Sequence, residues 1–204
     1  MPVLGVTGGV ATGKTTATEL LVRHLSETHG VEAFSADATV RRLLDGDPVV
    51  AEQIRAAFGA EVIASDGRVD REKLRELVFA DEPGRRALEG ILHPLVREEW
   101  STRSQEFRNS GDYFVAEIPL LYETQGESWC DCVIVVAASD DRRIRRLSEN
   151  RGWSSETSRR VIDSQMPQDT KIQRADIVIW NDHTKAVLES QILLAVERLK
   201  LRYA

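Results

Sequence analysis

Apolar positions along the chain follow two rhythms. Short unbroken runs occur at Val3-Leu4-Gly5-Val6, Val31-Glu32-Ala33-Phe34, Tyr113 to Ile118, Cys132 to Val136 and Ile177 to Trp180. Their β-branched and aromatic content predicts strands buried on both faces, as in a parallel sheet. Between these runs apolar residues recur at helical spacing. Ala17, Leu20, Leu21 and Leu25 share one stripe while Glu19, Arg23 and Glu27 turn elsewhere, which predicts a first helix closed by a left-handed cap at Gly30. A last helix is predicted from about Thr184 to Leu201, with Val187, Leu188, Leu194 and Leu199 on its apolar side. Strands alternating with helices indicate an α/β domain.

Two intervals interrupt the alternation. From about Asp37 to Ser110 the pattern is mostly helical, with Ile54, Ala57 and Phe58 in one segment and Leu74, Leu77 and Val78 in another. From about Asp140 to Lys171 it is helical and rich in arginine. No tract rich in Pro, Gly or Ser divides the chain, and it has no internal repeat, so both intervals are expected to be insertions projecting from one domain. The expected boundaries are a sheet core at about residues 1–36, 112–139 and 172–204, a first insertion at about 37–111 and a second at about 140–171.

The chemistry enters directly after the first strand. Gly8-Gly9-Val10-Ala11-Thr12-Gly13-Lys14-Thr15-Thr16 matches G-x-x-x-x-G-K-[ST] between a strand and a helix, the context a phosphate-binding loop requires. Glycines let the backbone curl so that amide hydrogens point at phosphate oxygens, and the following helix adds the positive end of its dipole. Lys14 is expected at the β- and γ-phosphates of ATP, and the Thr15 hydroxyl is expected to be a Mg2+ ligand. GTPases, ATPases and small-molecule kinases share this loop; the chain lacks an N-K-x-D guanine signature.

Asp37 follows the second strand, where the C-terminal edge of a parallel sheet gathers ligands. It is a candidate to accept the proton of an acceptor hydroxyl, and equally a candidate cap for the helix that begins there. Arg142, Arg143, Arg145, Arg146, Arg151, Arg159 and Arg160 crowd the second insertion; a subset facing phosphate would close over ATP, exclude water and stabilise the transferring charge. His93-Pro94 lies in a helical stretch, where histidine is more often structural than catalytic.

Composition narrows the partners. The chain has 204 residues and a formal charge of −6, which argues against nucleic acid or membrane surfaces as partners. No apolar run approaches the roughly 18 residues of a membrane span. The start of the chain lacks a signal-peptide pattern, so a cytosolic location is expected. Cys130 and Cys132 are expected to be reduced thiols at a strand entrance.

Several segments, in order, resemble the dephospho-CoA kinase family. Thr7 to Thr15 are similar to its T-G-G-I-G-S-G-K-[ST] opening, and Ser35-Ala36-Asp37 with Arg41 to its D-A-D-x-x-x-R segment. His93-Pro94-Leu95-Val96-Arg97 resembles H-P-x-[VI]-R, and Ile118 to Glu123 resembles I-P-L-L-[FY]-E. Arg160 to Pro167, Lys171 and Ala175 to Asn181 complete the likeness. The resemblance implies an adenylate-kinase-like P-loop fold with a five-stranded parallel sheet, a helical substrate lobe and an arginine-rich lid. It implies transfer of the γ-phosphoryl group of ATP to the ribose 3′-hydroxyl of dephospho-CoA, with Mg2+. A monomer or weak homo-oligomer is expected. Asp37 would be the general base, Arg146 a lid arginine reaching the transferring phosphate, and Arg41, His93 and Arg160 substrate-binding residues. The alternatives are a nucleoside-monophosphate kinase of the same fold and a regulatory ATPase. The chain departs from the family pattern at Ser35, at Ala11 and Thr12 in the loop, and at Asn150, where the family often has arginine. Ala11 is expected to keep a negative φ.

Overall fold

In a computed structural model that describes residues 2–79, 81–107 and 112–203, the expected strands form as β1 (Val3–Thr7), β2 (Val31–Ser35), β3 (Tyr113–Glu117), β4 (Cys132–Ala137) and β5 (Ile177–Trp180). They build a five-stranded parallel sheet in the order β2-β3-β1-β4-β5. Val6 of β1 sits beside Glu117 of β3 on one side and Ile134 of β4 on the other. The loop after β1 therefore leaves the middle of the sheet at its C-terminal edge, where open α/β sheets bind ligands.

Every residue of β1, β3 and β4 is buried. The edge strands differ: β2 is half-buried, and Val178 and Trp180 of β5 are exposed. Burial on both faces thus holds for the inner strands and fails at the edges. Helices α1 (Lys14–Ser26) and α9 (Lys185–Arg202) pack on each other, and Leu21 and Leu25 of α1 join Leu4, Ile134, Leu188, Ile192 and Val196 in the core. Each such side chain contributes about 1.5–3 kcal/mol on burial.

Two details of the helices differ from expectation. Gly30 does not cap α1, which ends through Glu27 in a right-handed conformation; Gly30 instead allows the Asp112 carboxylate to approach where a Cβ would stand. On α9 the buried stripe is Leu188, Ile192, Ala195, Val196 and Leu199, whereas Val187 and Leu194 are exposed by 41% and 62%. The buried set keeps the i, i+4, i+7, i+8 spacing of one helical face, and the expected set mixed two faces.

The chain divides into two compact units, Met1–Phe34 with Arg103–Ala204, and Ser35–Thr102. The second unit contains α2 (Ala36–Gly46), α3 (Pro48–Phe58), a 3-10 turn at Ala60–Val62, α4 (Arg71–Phe79) and most of α5 (Glu82–Phe107). Its buried residues include Leu43, Val50, Ile54, Val62, Leu74 and Trp100. Ala57 and Leu77, expected on apolar stripes, are exposed. His93 and Pro94 lie in the middle of α5. The expected end of the first insertion, at about residues 110–111, falls outside the described residues.

The arginine-rich interval folds as α6 (Asp140–Arg151), α7 (Ser155–Asp163) and α8 (Gln168–Gln173), within the sheet-bearing unit. Cys130 and Cys132 are not joined in a disulfide, and burial pushes the Cys132 thiol up to about 12. Among the described residues no helix is long and apolar enough to cross a membrane.

Candidate active site

The residues between β1 and α1 form a tight loop whose carbonyls at residues 9–12 are engaged by side chains. Gly9 C=O accepts from Lys14 Nζ at 2.9 Å and from Thr12 Oγ1 at 3.0 Å. Val10 C=O accepts from Arg143 Nε at 3.0 Å. Arg146 donates to the carbonyls of Ala11 and Thr12 at 3.1 and 3.0 Å, and Asn181 Nδ2 donates to Thr12 C=O at 2.8 Å. With the carbonyls engaged, the N–H groups at the start of α1, which have no acceptor within the helix, are the donors an anion could take up. Gly13 reaches this geometry at φ +91°, and a Cβ there would strike Asn181.

Ala11 has φ +59°, not the expected negative value. The left-handed well costs an L-residue about 1–2 kcal/mol. The bonds from Arg143 and Arg146 to either side of it hold the turn in place.

At the mouth, Thr15 Oγ1 donates to Glu117 Oε1 at 2.8 Å. Glu117 is buried at the C-terminal end of β3, next to β1. A hydroxyl and a carboxylate at a phosphate loop are hard oxygen donors that suit Mg2+, which takes one or two protein ligands and completes its shell with phosphate and water. No cluster of three or more His, Cys, Asp or Glu side chains able to hold a metal occurs among the described residues. Sequence reasoning missed Glu117. The available signal was a charged residue ending an otherwise apolar inner strand.

Beside the loop lies a pocket of ≈ 470 Å³ lined by Gly13, Thr16, Arg146, Asn150, Asn181 and His183, among others. Burial lowers the pKa of the Arg146 guanidinium, and neighbouring Arg142 adds to the effect. Its other nitrogen donates to Asn181 C=O at 2.8 Å, so α6 and the turn after β5 are tied to the loop together.

The expected site residues separate by unit. Gly8 to Thr16, Lys14, Thr15 and Arg146 meet around the loop. Asp37 and Arg41 are exposed on α2, four residues apart and on one helical face, in the second unit with half-buried His93. Ser35, not Asp37, caps α2: its side chain accepts from the Ala38 N–H at 3.3 Å. The Asp37 carboxylate carries no hydrogen bond or ion pair among the described residues. Arg160 is exposed on α7 and pairs with Glu156 at 3.4 Å, one turn earlier.

Other motif residues are structural ties. Lys171 is fully buried; its ammonium pairs with Glu123 at 2.8 Å and donates to Pro119 C=O at 3.2 Å. Met166 N–H donates to the same Glu123 oxygen at 3.2 Å. Removing Glu123 would leave the buried Lys171 ammonium without its carboxylate.

Known proteins resemble this chain over nearly its whole length. The family model described as dephospho-CoA kinase matches residues 2–186. The dephospho-CoA kinase of Geobacillus kaustophilus is 36% identical over 196 residues, covering 96% of this chain and 95% of the relative. That of Methylococcus capsulatus is 35% identical over 204 residues, covering 100% and 98%. The solved dephospho-CoA kinase from Campylobacter jejuni superposes with a TM-score of 0.71 at 25% identity, covering 97% of this chain and 96% of that one. The chain belongs to the dephospho-CoA kinase family.

Proposed function

We propose that the loop Gly8–Thr16 holds the triphosphate of ATP while Asp37 activates the acceptor hydroxyl of dephospho-CoA. The reaction class follows from the family: ATP-dependent phosphoryl transfer to dephospho-CoA, the final step of coenzyme A synthesis. The observation that carries the residue assignment is the Thr15–Glu117 pair at the mouth of the loop, beside Lys14.

In this reading the Lys14 ammonium leaves Gly9 C=O for the phosphates and neutralises charge that builds on the γ-phosphoryl oxygens. Thr15 Oγ1 and the Glu117 carboxylate would hold Mg2+, which supplies charge neutralisation between the β- and γ-phosphates. Asp37 emerges from the C-terminal end of β2 with its carboxylate unengaged, as a proton acceptor for the ribose 3′-hydroxyl must be. Ser35 serves as the cap of α2, which leaves Asp37 as the carboxylate of that segment available for chemistry. The pocket beside Gly13 and Asn181 suits the adenosine end of ATP, and Arg146 at its wall is close enough to the loop to turn toward phosphate. Arg41 and His93 would bind dephospho-CoA from the lobe at about residues 37–111, and Arg160 from the lid at about residues 140–171. The α7 position of Arg160 leaves it only an exposed pair to break before it meets a phosphate. One chain supplies every group named, so a monomer suffices. The work of the enzyme lies in the cytosol, where its donor is abundant.

Glu117→Gln tests the metal assignment. The variant keeps shape and a hydrogen-bonding oxygen but removes the charge, so the Mg2+ concentration giving half-maximal rate should rise about tenfold or more, a loss near 1.4 kcal/mol. An unchanged Mg2+ titration would remove Glu117 from the metal site.

A further inference from the structure

Val10 stands out because both of its backbone groups are taken by side chains remote in sequence. Its N–H donates to Gln165 Oε1 at 2.7 Å, and its C=O accepts from Arg143 Nε at 3.0 Å. Arg143 is a buried residue, its side chain only 4% exposed, and its terminal nitrogen NH1 is occupied by Asp140 at 3.0 Å. The other terminal nitrogen lies 2.4 Å from where a Cβ on Gly9 would stand. The guanidinium plane thus fills the space that a side chain at position 9 would need. The next residue, Ala11, is held at φ +59°.

From this geometry we infer that Arg143 and Gln165 are positioning residues that clamp Val10 and so keep the loop in its phosphate-binding form before ATP arrives. The inference rests on the reading of the loop as the ATP site and assigns the residues that preform it. A left-handed alanine is an uphill conformation that persists only where its surroundings over-determine it. Bonds to the N–H and C=O of the preceding residue do so by fixing the peptide planes on both sides of Val10. A loop that loses one of them spends part of its time in other conformations. Apparent affinity then falls in proportion to the competent fraction. Once ATP is bound the loop is competent whatever held it before, so turnover at saturation changes little. Neither side chain needs to touch the nucleotide.

The connectivity of the side chains offers a clean test. Glutamine carries its amide nitrogen at the same ε position as the arginine nitrogen that bonds Val10, whereas methionine has a methyl group there. Arg143→Met should weaken ATP binding about tenfold, the effect of losing one buried hydrogen bond. Its kcat at saturating ATP should stay within about twofold of the parent, the split expected when only binding is lost. Arg143→Gln restores the donor and should keep ATP affinity within about threefold of the parent, the discrepancy covering the lost packing on Gly9. Gln165→Met removes the bond on the other side of Val10 and should reproduce the loss in affinity, which keeps the inference testable if Arg143→Met does not fold. Calorimetric titration of the full chain with ATP and Mg2+ reads affinity and the melting temperature reads folding, both without an acceptor, and kcat is read by turnover with saturating ATP and dephospho-CoA. A folded Met variant that binds ATP like the parent would overturn the inference. So would equal losses in Arg143→Met and Arg143→Gln, which would assign the effect to the buried charge. A parent chain that bound no ATP would instead overturn the reading of the loop itself.

Discussion

Replacing Lys14 by alanine should lower kcat by a factor on the order of a hundred to a thousand or more, as removal of a principal charge-stabilising donor does. The fold should survive. Lys14 is half-buried at the first position of α1, and the carbonyl it holds, that of Gly9, also accepts from Thr12 Oγ1. Losing the ammonium therefore leaves Gly9 C=O still bonded by Thr12 Oγ1. What is lost is a positive charge at the one place where a polyphosphate must shed its repulsion. The check is a comparison of steady-state turnover with thermal unfolding of the same sample. Near-normal turnover would take Lys14 out of the mechanism.

Asp37→Asn should lower kcat by about 10²–10⁴-fold, the range typical of general-base contributions, and leave ATP binding nearly unchanged. The substitution keeps the size of the side chain and removes the basic oxygen. It should not disturb α2, because the cap bond belongs to Ser35 and no partner of Asp37 is lost. Steady-state kinetics with varied ATP and varied dephospho-CoA separates the outcomes. A rise in KM for ATP with kcat unchanged would make Asp37 a nucleotide or metal residue and leave the base to be found elsewhere.

The strands were legible because inner parallel strands admit almost no polar residue, so their runs stand out against amphipathic helices. The same rule explains the misses. Edge strands β2 and β5 read like inner ones, since the sequence of an edge records its β-propensity more clearly than its missing neighbour. On α9 the apolar residues Val187 and Leu194 belong to the exposed face, and a helix with apolar residues on both sides does not announce which side is covered. The loop was legible through its glycines and Lys14, whose spacing is set by the phosphate chain itself. The groups that hold the loop were not. Arg143, Arg146, Gln165 and Asn181 come from three later segments, and only the fold brings them to residues 9–12. Glu117 was hidden for a related reason, as its partner Thr15 lies 102 positions earlier in the chain. Ala11 shows the limit of a residue-by-residue rule. Alanine disfavours positive φ on its own, and the surrounding bonds decide the outcome.

As a dephospho-CoA kinase, this chain moves a phosphoryl group from ATP to dephospho-CoA. The most direct measurement is Mg2+-dependent ADP release with and without dephospho-CoA, followed by mass analysis of the acceptor. ADP release should depend on the acceptor and give a product heavier by one phosphoryl group, with little turnover on AMP, CMP or UMP. A folded, ATP-binding sample that released no acceptor-dependent ADP, or that phosphorylated a nucleoside monophosphate in preference to dephospho-CoA, would contradict this activity.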